Sequence, residues 1–317
     1  MDDRGREEIA LALGLESQSL RKLTGGLQNL IFENTIGQTV LRVSHSKRRT
    51  EEELLAEQHW LEILVSEGVK INEPHLFSDG DRIKEICLEK EPFLITQFGK
   101  IEGEGLDPST PSHWNVEIFE KWGSMAGKLH KNGNAVKLTV KQQKAVNRKS
   151  DDKLYRELLM RDRYIARHYQ RLLSEIDKLS KDDSCYGLSH RDLHHGNLLY
   201  SNGEIHIIDS DDFGYSWFAE DIATALYHVN WHGKSIHSDW KELHKDFLEA
   251  FARGYNQVSF LSQEIKDAIP LFLRKREFFL YNLFLQVWEL DNLEEWQSFT
   301  LKQLEENLRN EIIPIQL

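Results

Sequence analysis

The chain has 317 residues, 40% hydrophobic and 29% charged, which is apolar enough for a sizeable core and too apolar for a disordered chain. Its 40 Lys and Arg against 52 Asp and Glu give a formal charge of −12, which repels phosphate backbones and excludes nucleic acid as the main partner. Cys87 and Cys185 stand far apart and outside any CxxC pair, the start MDDRGREEIALALGL is not a secretory signal, and the most apolar run, Phe278 to Trp288, is too short for a bilayer; a cytoplasmic protein with no membrane partner is expected.

The length suits about two lobes. Up to about residue 97 the apolar residues come in short runs, SLRKL, NLIFEN, TVLRVS, RIKEICLE and PFLIT, separated by turn signals at Gly25-Gly26, Asn34 to Gly37 and Asp79-Gly80-Asp81. This pattern predicts an antiparallel sheet. One helix interrupts it, from about Thr50 to Ser66 and ended by Gly68, with Leu54, Leu61 and Leu64 on one face and the carboxylate of Glu57 among them. Gly99 to Pro111 is the candidate linker, and from residue 98 the texture turns helical: WNVEIFEKWGSMAGKLH, then KLYRELLMRDRYIARHYQRLLSEIDKL, then a run from Trp240 to Tyr255 and further helices. Lys131 to Ser150 is basic and polar and reads as a loop. Between helices, Gly187 to Asp212 breaks the period and reads as a loop, a strand NLLY, a turn SNGE and a strand IHIID.

That loop concentrates the polar chemistry. It runs His190-Arg191-Asp192-Leu193-His194-His195-Gly196-Asn197, and after the hairpin comes Asp209-Ser210-Asp211-Asp212. Asp192 and Asn197 are five apart, and Asp209 ends an apolar strand twelve residues on, so a hairpin can return Asp209 beside the asparagine. An amide oxygen and a carboxylate are hard ligands suited to Mg²⁺, which leaves Asp192 to orient or deprotonate a hydroxyl.

At these residues the sequence resembles the aminoglycoside phosphotransferase and choline kinase-like family of small-molecule kinases. HRDLHHGN is similar to its catalytic loop, IIDSDD to its metal segment, and Glu220-Asp221-Ile222-Ala223 to the stretch that follows. Upstream, Gly25, Gly26 and Asn29 resemble its phosphate-loop region, Val40 to Val43 its nucleotide-lysine strand, and Glu57 its helix glutamate. The resemblance implies an α+β, protein kinase-like, two-lobed fold, with a nucleotide-binding lobe over 1–97 and a helical lobe with catalytic loop and acceptor site over 98–317. It implies Asp192 as catalytic base or orienting group, Asn197 and Asp209 on Mg²⁺, and Arg42, held by Glu57, on the nucleotide phosphates. Backbone groups of Thr96, Gln97 and Phe98 would serve the purine, and Asp221 would anchor the loop. Arg42 stands where most kinases carry lysine, and its guanidinium binds phosphate bidentately. Ser210 replaces a bulky residue.

The reading is a kinase that uses Mg²⁺ and ATP or GTP to phosphorylate the hydroxyl of a small, amine-bearing molecule, with Asp211, Asp212 and Trp217 as candidate acceptor contacts. The carboxylates of Asp211, Asp212, Glu220, Asp221, Glu289, Asp291, Glu294 and Glu295 favour a cation on the acceptor side if they gather there. Choline, an aminoglycoside and homoserine all remain open, as do a protein Ser/Thr kinase and a catalytically silent nucleotide-binding protein. A zinc or di-metal hydrolase built on His190, His194, His195 and the aspartates leaves Asn197, Arg42 and Glu57 unexplained.

Overall fold

Alternating apolar residues bounded by tight turns give the first 100 residues a sheet, as the computed structural model shows for the described residues, 3–23, 29–147, 150–236 and 240–315. The strands are β1 (Leu20–Lys22), β2 (Leu30–Asn34), β3 (Thr39–His45), β4 (Pro74–His75), β5 (Lys84–Leu88) and β6 (Glu91–Gly99). They pair antiparallel in the order β1-β2-β3-β6-β4, with β5 also on β6. Helix α1 (Asp3–Leu13) adds Ile9 and Ala10 to a core of Leu20, Phe32, Leu41, Val43 and Ile95. Gly25 and Gly26 lie outside the described residues.

Helix α2 (Glu51–Ser66) begins at a capping box: the Thr50 hydroxyl accepts from the Glu53 N–H, and the Glu53 carboxylate accepts from the Thr50 N–H at 2.7 Å. Leu54, Trp60, Leu61 and Leu64 are fully buried, and Glu57 is buried with them.

Contacts divide the chain into two units, the first comprising residues 1–104, 135–146 and 199–211 and the second the remainder. The basic stretch after Lys131 therefore does not stay a loop. Thr139 and Gln142 form a cap, α4 (Val140–Val146) follows, Val136, Leu138 and Val146 are buried, and the helix packs on α2. The short apolar spacing that drives this was hidden among lysines. The hairpin of β9 (Leu198–Ser201) and β10 (Glu204–Ile207) turns at Asn202-Gly203, both with positive φ, the two-residue turn that suits strand twist. It docks through Ile207, whose N–H donates to the Lys70 carbonyl at 2.8 Å. A two-residue strand, β7 (Glu104–Gly105), falls at the unit boundary.

The second unit is helical: α3 (Val116–Lys131), α5 (Ser150–Arg161), α6 (Arg163–Ile176), α7 (Phe218–Ile236), α8 (Trp240–Asn256), α9 (Gln263–Val287) and α10 (Glu295–Asn310). The continuous period read through KLYRELLMRDRYIARHYQ breaks at Asp162, whose carboxylate caps α6 by accepting from the Tyr164 and Ile165 N–H groups. Helices α3 and α8 cross closely, since a Cβ on Gly123 would strike the Phe251 carbonyl and one on Gly254 the Glu120 carbonyl. An antiparallel pair, β8 (Tyr186–Ser189) with β11 (Gly214–Trp217), leads into the polar loop. Among the described residues no helix is long and apolar enough to cross a membrane.

Candidate active site

In the first unit, alternation along β3 places Arg42 opposite Ile31 on one side and Thr96 on the other, and α2 brings Glu57 to it. The two side chains pair bidentately, Nη1 to Oε1 at 2.8 Å and Nη2 to Oε2 at 2.6 Å, both buried. The Phe98 ring lies 5.0 Å from the guanidinium carbon. Arg42 and Glu57 are thus brought together.

The pair has company that the sequence did not advertise. Arg49 donates from Nη2 to Glu57 Oε2 at 2.9 Å and from Nη1 to Asp211 Oδ1 at 2.5 Å. Arg48 also donates to Asp211, and Arg42 lies 3.6 Å from it. Asn29 donates to Asp211 Oδ2 at 3.0 Å while its amide oxygen accepts from Ser44 at 2.8 Å. Ser210 donates its hydroxyl to Glu57 Oε1 at 2.6 Å, so a small polar residue there ties the segment after β10 to the ion pair. Burial works against the charges, but the carboxylates of Glu57 and Asp211 hold Arg42 above its ordinary value. Burial likewise opposes ionisation of Asp211, and Arg49, Arg42 and Arg48 outweigh it, holding the carboxyl well below the usual range.

Asp211, carried from the sequence as an acceptor contact, is therefore committed to three guanidinium groups. Its neighbour Asp209 is exposed and sits at φ 57°, a left-handed conformation that a non-glycine residue holds only when its surroundings impose it. On β6, Gln97 and Phe98 pair on both sides, with β3 and with β4. Thr96 pairs with β3 alone, and Phe98 faces Pro74, which has no N–H to donate to it. The N–H groups of Gly99 and Lys100 go to Glu73 and Gln38.

In the second unit the loop after β8 is pinned by one carboxylate. Asp221, in the first turn of α7 and fully buried, accepts from the N–H of His190 at 3.0 Å and of Arg191 at 2.5 Å, and meets His130 Nε2 at 3.0 Å. Arg191 takes φ 67°, which turns the chain so that Asp192 and Asn197 face each other. The Asn197 amide donates to the Asp192 carbonyl at 2.9 Å and to Oδ2 at 3.1 Å, which leaves its own oxygen as an acceptor. Asp192 Oδ1 lies 2.9 Å from Arg276 Nη1 on α9, an ion pair outside hydrogen-bond alignment, and Oδ2 lies 3.4 Å from His194 Nε2. Burial raises the Asp192 pKa, but Arg276 and His194 overcome it and keep the carboxyl well below the usual range. Asp221→Ala should cost about 3–5 kcal/mol, because it strands buried donors, and a lowered urea midpoint would measure it.

Arg276 reaches this site from 84 positions downstream and also donates to His228 Nε2, from Nη2 at 2.8 Å. No local signal marked it. Behind the loop, Lys275 bridges Glu220 at 2.9 Å and Asp151 at 3.2 Å. Of the remaining acceptor candidates, Asp212 is exposed, whereas Trp217 is half-buried: its indole N–H donates to the Ser180 carbonyl at 2.6 Å and its ring lies on Tyr186 and Phe272. Glu220 and Asp221 are likewise occupied, and Glu294 caps α10.

The profile of the phosphotransferase enzyme family matches residues 19–262. An amicoumacin kinase of Bacillus subtilis (strain 168) is 27% identical over 308 residues, 96% of this chain and 90% of that protein. The solved structure of an amicoumacin kinase in complex with AMP-PNP, Ca2+ and Ami superposes with a TM-score of 0.87 at 26% identity, covering 98% of this chain and 94% of that one. A microcompartment-associated aminopropanol kinase, 18% identical, shares the fold at a TM-score of 0.70 over 98% of this chain and 99% of that one. The sheet unit, the helical unit and the polar loop thus have the order of a kinase-like phosphotransferase, and the chain belongs to the phosphotransferase enzyme family as a small-molecule kinase that phosphorylates a hydroxyl group.

Proposed function

We propose that the chain transfers the γ-phosphoryl of ATP or GTP, with Mg²⁺, to a hydroxyl of a small amine-bearing molecule. The observation that carries this reading is the Asp192–Asn197 pair. With both amide hydrogen bonds of Asn197 turned onto Asp192, the amide oxygen is offered outward as a hard donor, and the Asp209 carboxylate is of the same class, so the donor set fits Mg²⁺. Bound there, Mg²⁺ would neutralise charge on the nucleotide phosphates. Asp192 is a weak base at its depressed pKa, so its part is to accept and aim the acceptor's O–H, which suffices where catalysis is mostly positioning. Arg42, steered by Glu57, grips phosphate, and Arg49 and Arg48 belong to the same grip. The sheet unit is thereby the nucleotide-binding part. Backbone groups of Thr96, Gln97 and Phe98, at the end of β6, would serve the purine.

An amine on the acceptor is supported by the aminopropanol substrate in one structural relative's name and by the exposed Asp212 carboxylate. The test is transfer of labelled phosphate from ATP and from GTP to paired acceptors, amino alcohols and amino sugars against their neutral analogues, with and without Mg²⁺. Transfer should require Mg²⁺, and the preference for the amine should shrink as salt rises. Equal kcat/KM for amine and neutral analogue at low salt would remove the amine from the proposal. Asp209→Ala should raise the nucleotide KM at least tenfold at fixed Mg²⁺, with partial recovery at higher Mg²⁺.

A further inference from the structure

Four imidazoles gather beside Asp192 in the helical unit. His194 and His195 come from the loop, whereas His228 and His232 come from successive turns of α7 at the i, i+4 spacing that puts two side chains on one helix face. Ring centroids stand 4.6 Å apart for His194 and His228, 4.4 Å for His195 and His232, and 5.8 Å for His194 and His195. One ring nitrogen from each of His194, His195 and His228 lies within 4.8 Å of the other two. Around a tetrahedral ion with metal–nitrogen bonds of about 2.0–2.1 Å, the nitrogens stand about 3.3 Å apart, so modest side-chain rotations close these three on one ion.

The hydrogen bonds already made by these rings set what such an ion must displace. His195 Nδ1 is buried and has no hydrogen-bond partner among the described residues. His194 Nδ1 accepts from the Gly196 N–H at 3.0 Å, and His228 Nε2 accepts from Arg276, so ligation costs one exchanged bond at each. Arg276 keeps Asp192 as its partner after such an exchange, and the Asp192 carboxylate, 3.4 Å from His194, offsets the added positive charge. His194 and His195 are half-buried, which gives an ion a way in.

We propose that His194, His195 and His228, with His232 as a fourth donor, form a binding site for an imidazole-preferring divalent ion such as Zn²⁺, separate from the oxygen donors suited to Mg²⁺. All-nitrogen donors select zinc, nickel or cobalt over magnesium and calcium. The ion would fasten the catalytic loop to α7 and draw His194 away from Asp192.

The full chain, freed of metal and kept in millimolar Mg²⁺, is titrated with Zn²⁺ by calorimetry and with Co²⁺ by visible absorption, which reports the ligand geometry. One ion per chain is expected, with a tetrahedral Co²⁺ spectrum. His195→Gln and His228→Gln should each weaken binding at least tenfold, whereas His59→Gln on α2 should not. His228 is buried, so melting of each metal-free variant checks its fold, and half-buried His195 supplies a variant that does not depend on core packing. Absence of stoichiometric uptake, or uptake unchanged in both cluster variants, overturns the proposal. No phosphotransfer is measured, so the outcome is independent of the acceptor and the nucleotide.

Discussion

Asp192→Ala should lower kcat by about 10²- to 10⁴-fold while the nucleotide KM stays within about threefold, because the role proposed for the lost group is at the acceptor hydroxyl and not at the nucleotide. Its surroundings sharpen this expectation. Removing the carboxylate costs Arg276 its counter-charge and the Asn197 amide one of two bonds, while the His228 contact and the bond to the residue 192 carbonyl remain. Asp192→Asn keeps the volume and can still receive one hydrogen bond, so it separates loss of charge from loss of shape. If Asp192→Asn proves as inactive as alanine, the charge is what aims the hydroxyl. Full turnover in Asp192→Ala would remove this residue from the chemistry.

Glu57→Ala should be the most damaging change in the sheet unit. The carboxylate accepts from Arg42, Arg49 and Ser210, and it is fully buried. Losing one member of a buried ion pair costs about 3–5 kcal/mol, since the remaining charges stay desolvated without their counter-charge. The nucleotide KM should rise at least tenfold, and urea denaturation should show the stability loss. Arg42→Ala should raise KM as well but destabilise less, because Arg49 and Ser210 still engage Glu57. The Arg42→Ala, Glu57→Ala double variant should match Glu57→Ala alone. Strictly additive losses would mean that the two residues do not act together.

Much of the sheet was legible because the longer strands carry their own period and the turn at Asn34 to Gly37 its own asparagine and glycine, whereas the β5–β6 turn at Glu89-Lys90, both with positive φ, carries neither. The Asp192–Asn197 pairing was legible because the two residues stand five apart on one loop and differ in chemistry. What stayed hidden depends on distance or on breaks too small to disturb a pattern. Arg276 joins Asp192 only through the packing of α9, and nothing around it in the sequence differs from an ordinary helix arginine. Asp162 breaks a helix whose apolar period runs on through it, and only its capping bonds reveal the break. Arg48 and Arg49 carried no signal in the sequence, yet Arg49 is buried between two carboxylates. Ser210 looked like a loss of packing and is instead a hydrogen bond.

That serine has a consequence for how ligands communicate. Ser210 follows Asp209 and holds Glu57, and Glu57 holds Arg42, so one chain of contacts runs from the proposed metal carboxylate to the proposed phosphate grip. If Asp209 holds Mg²⁺ and Arg42 the phosphates, as proposed, a ligand that settles one would favour the other, and linkage would make that help reciprocal, by the same factor in each direction. Ser210→Ala would remove this thread, and the coupling between the two ligands should fall to what direct contact between Mg²⁺ and the phosphates supplies.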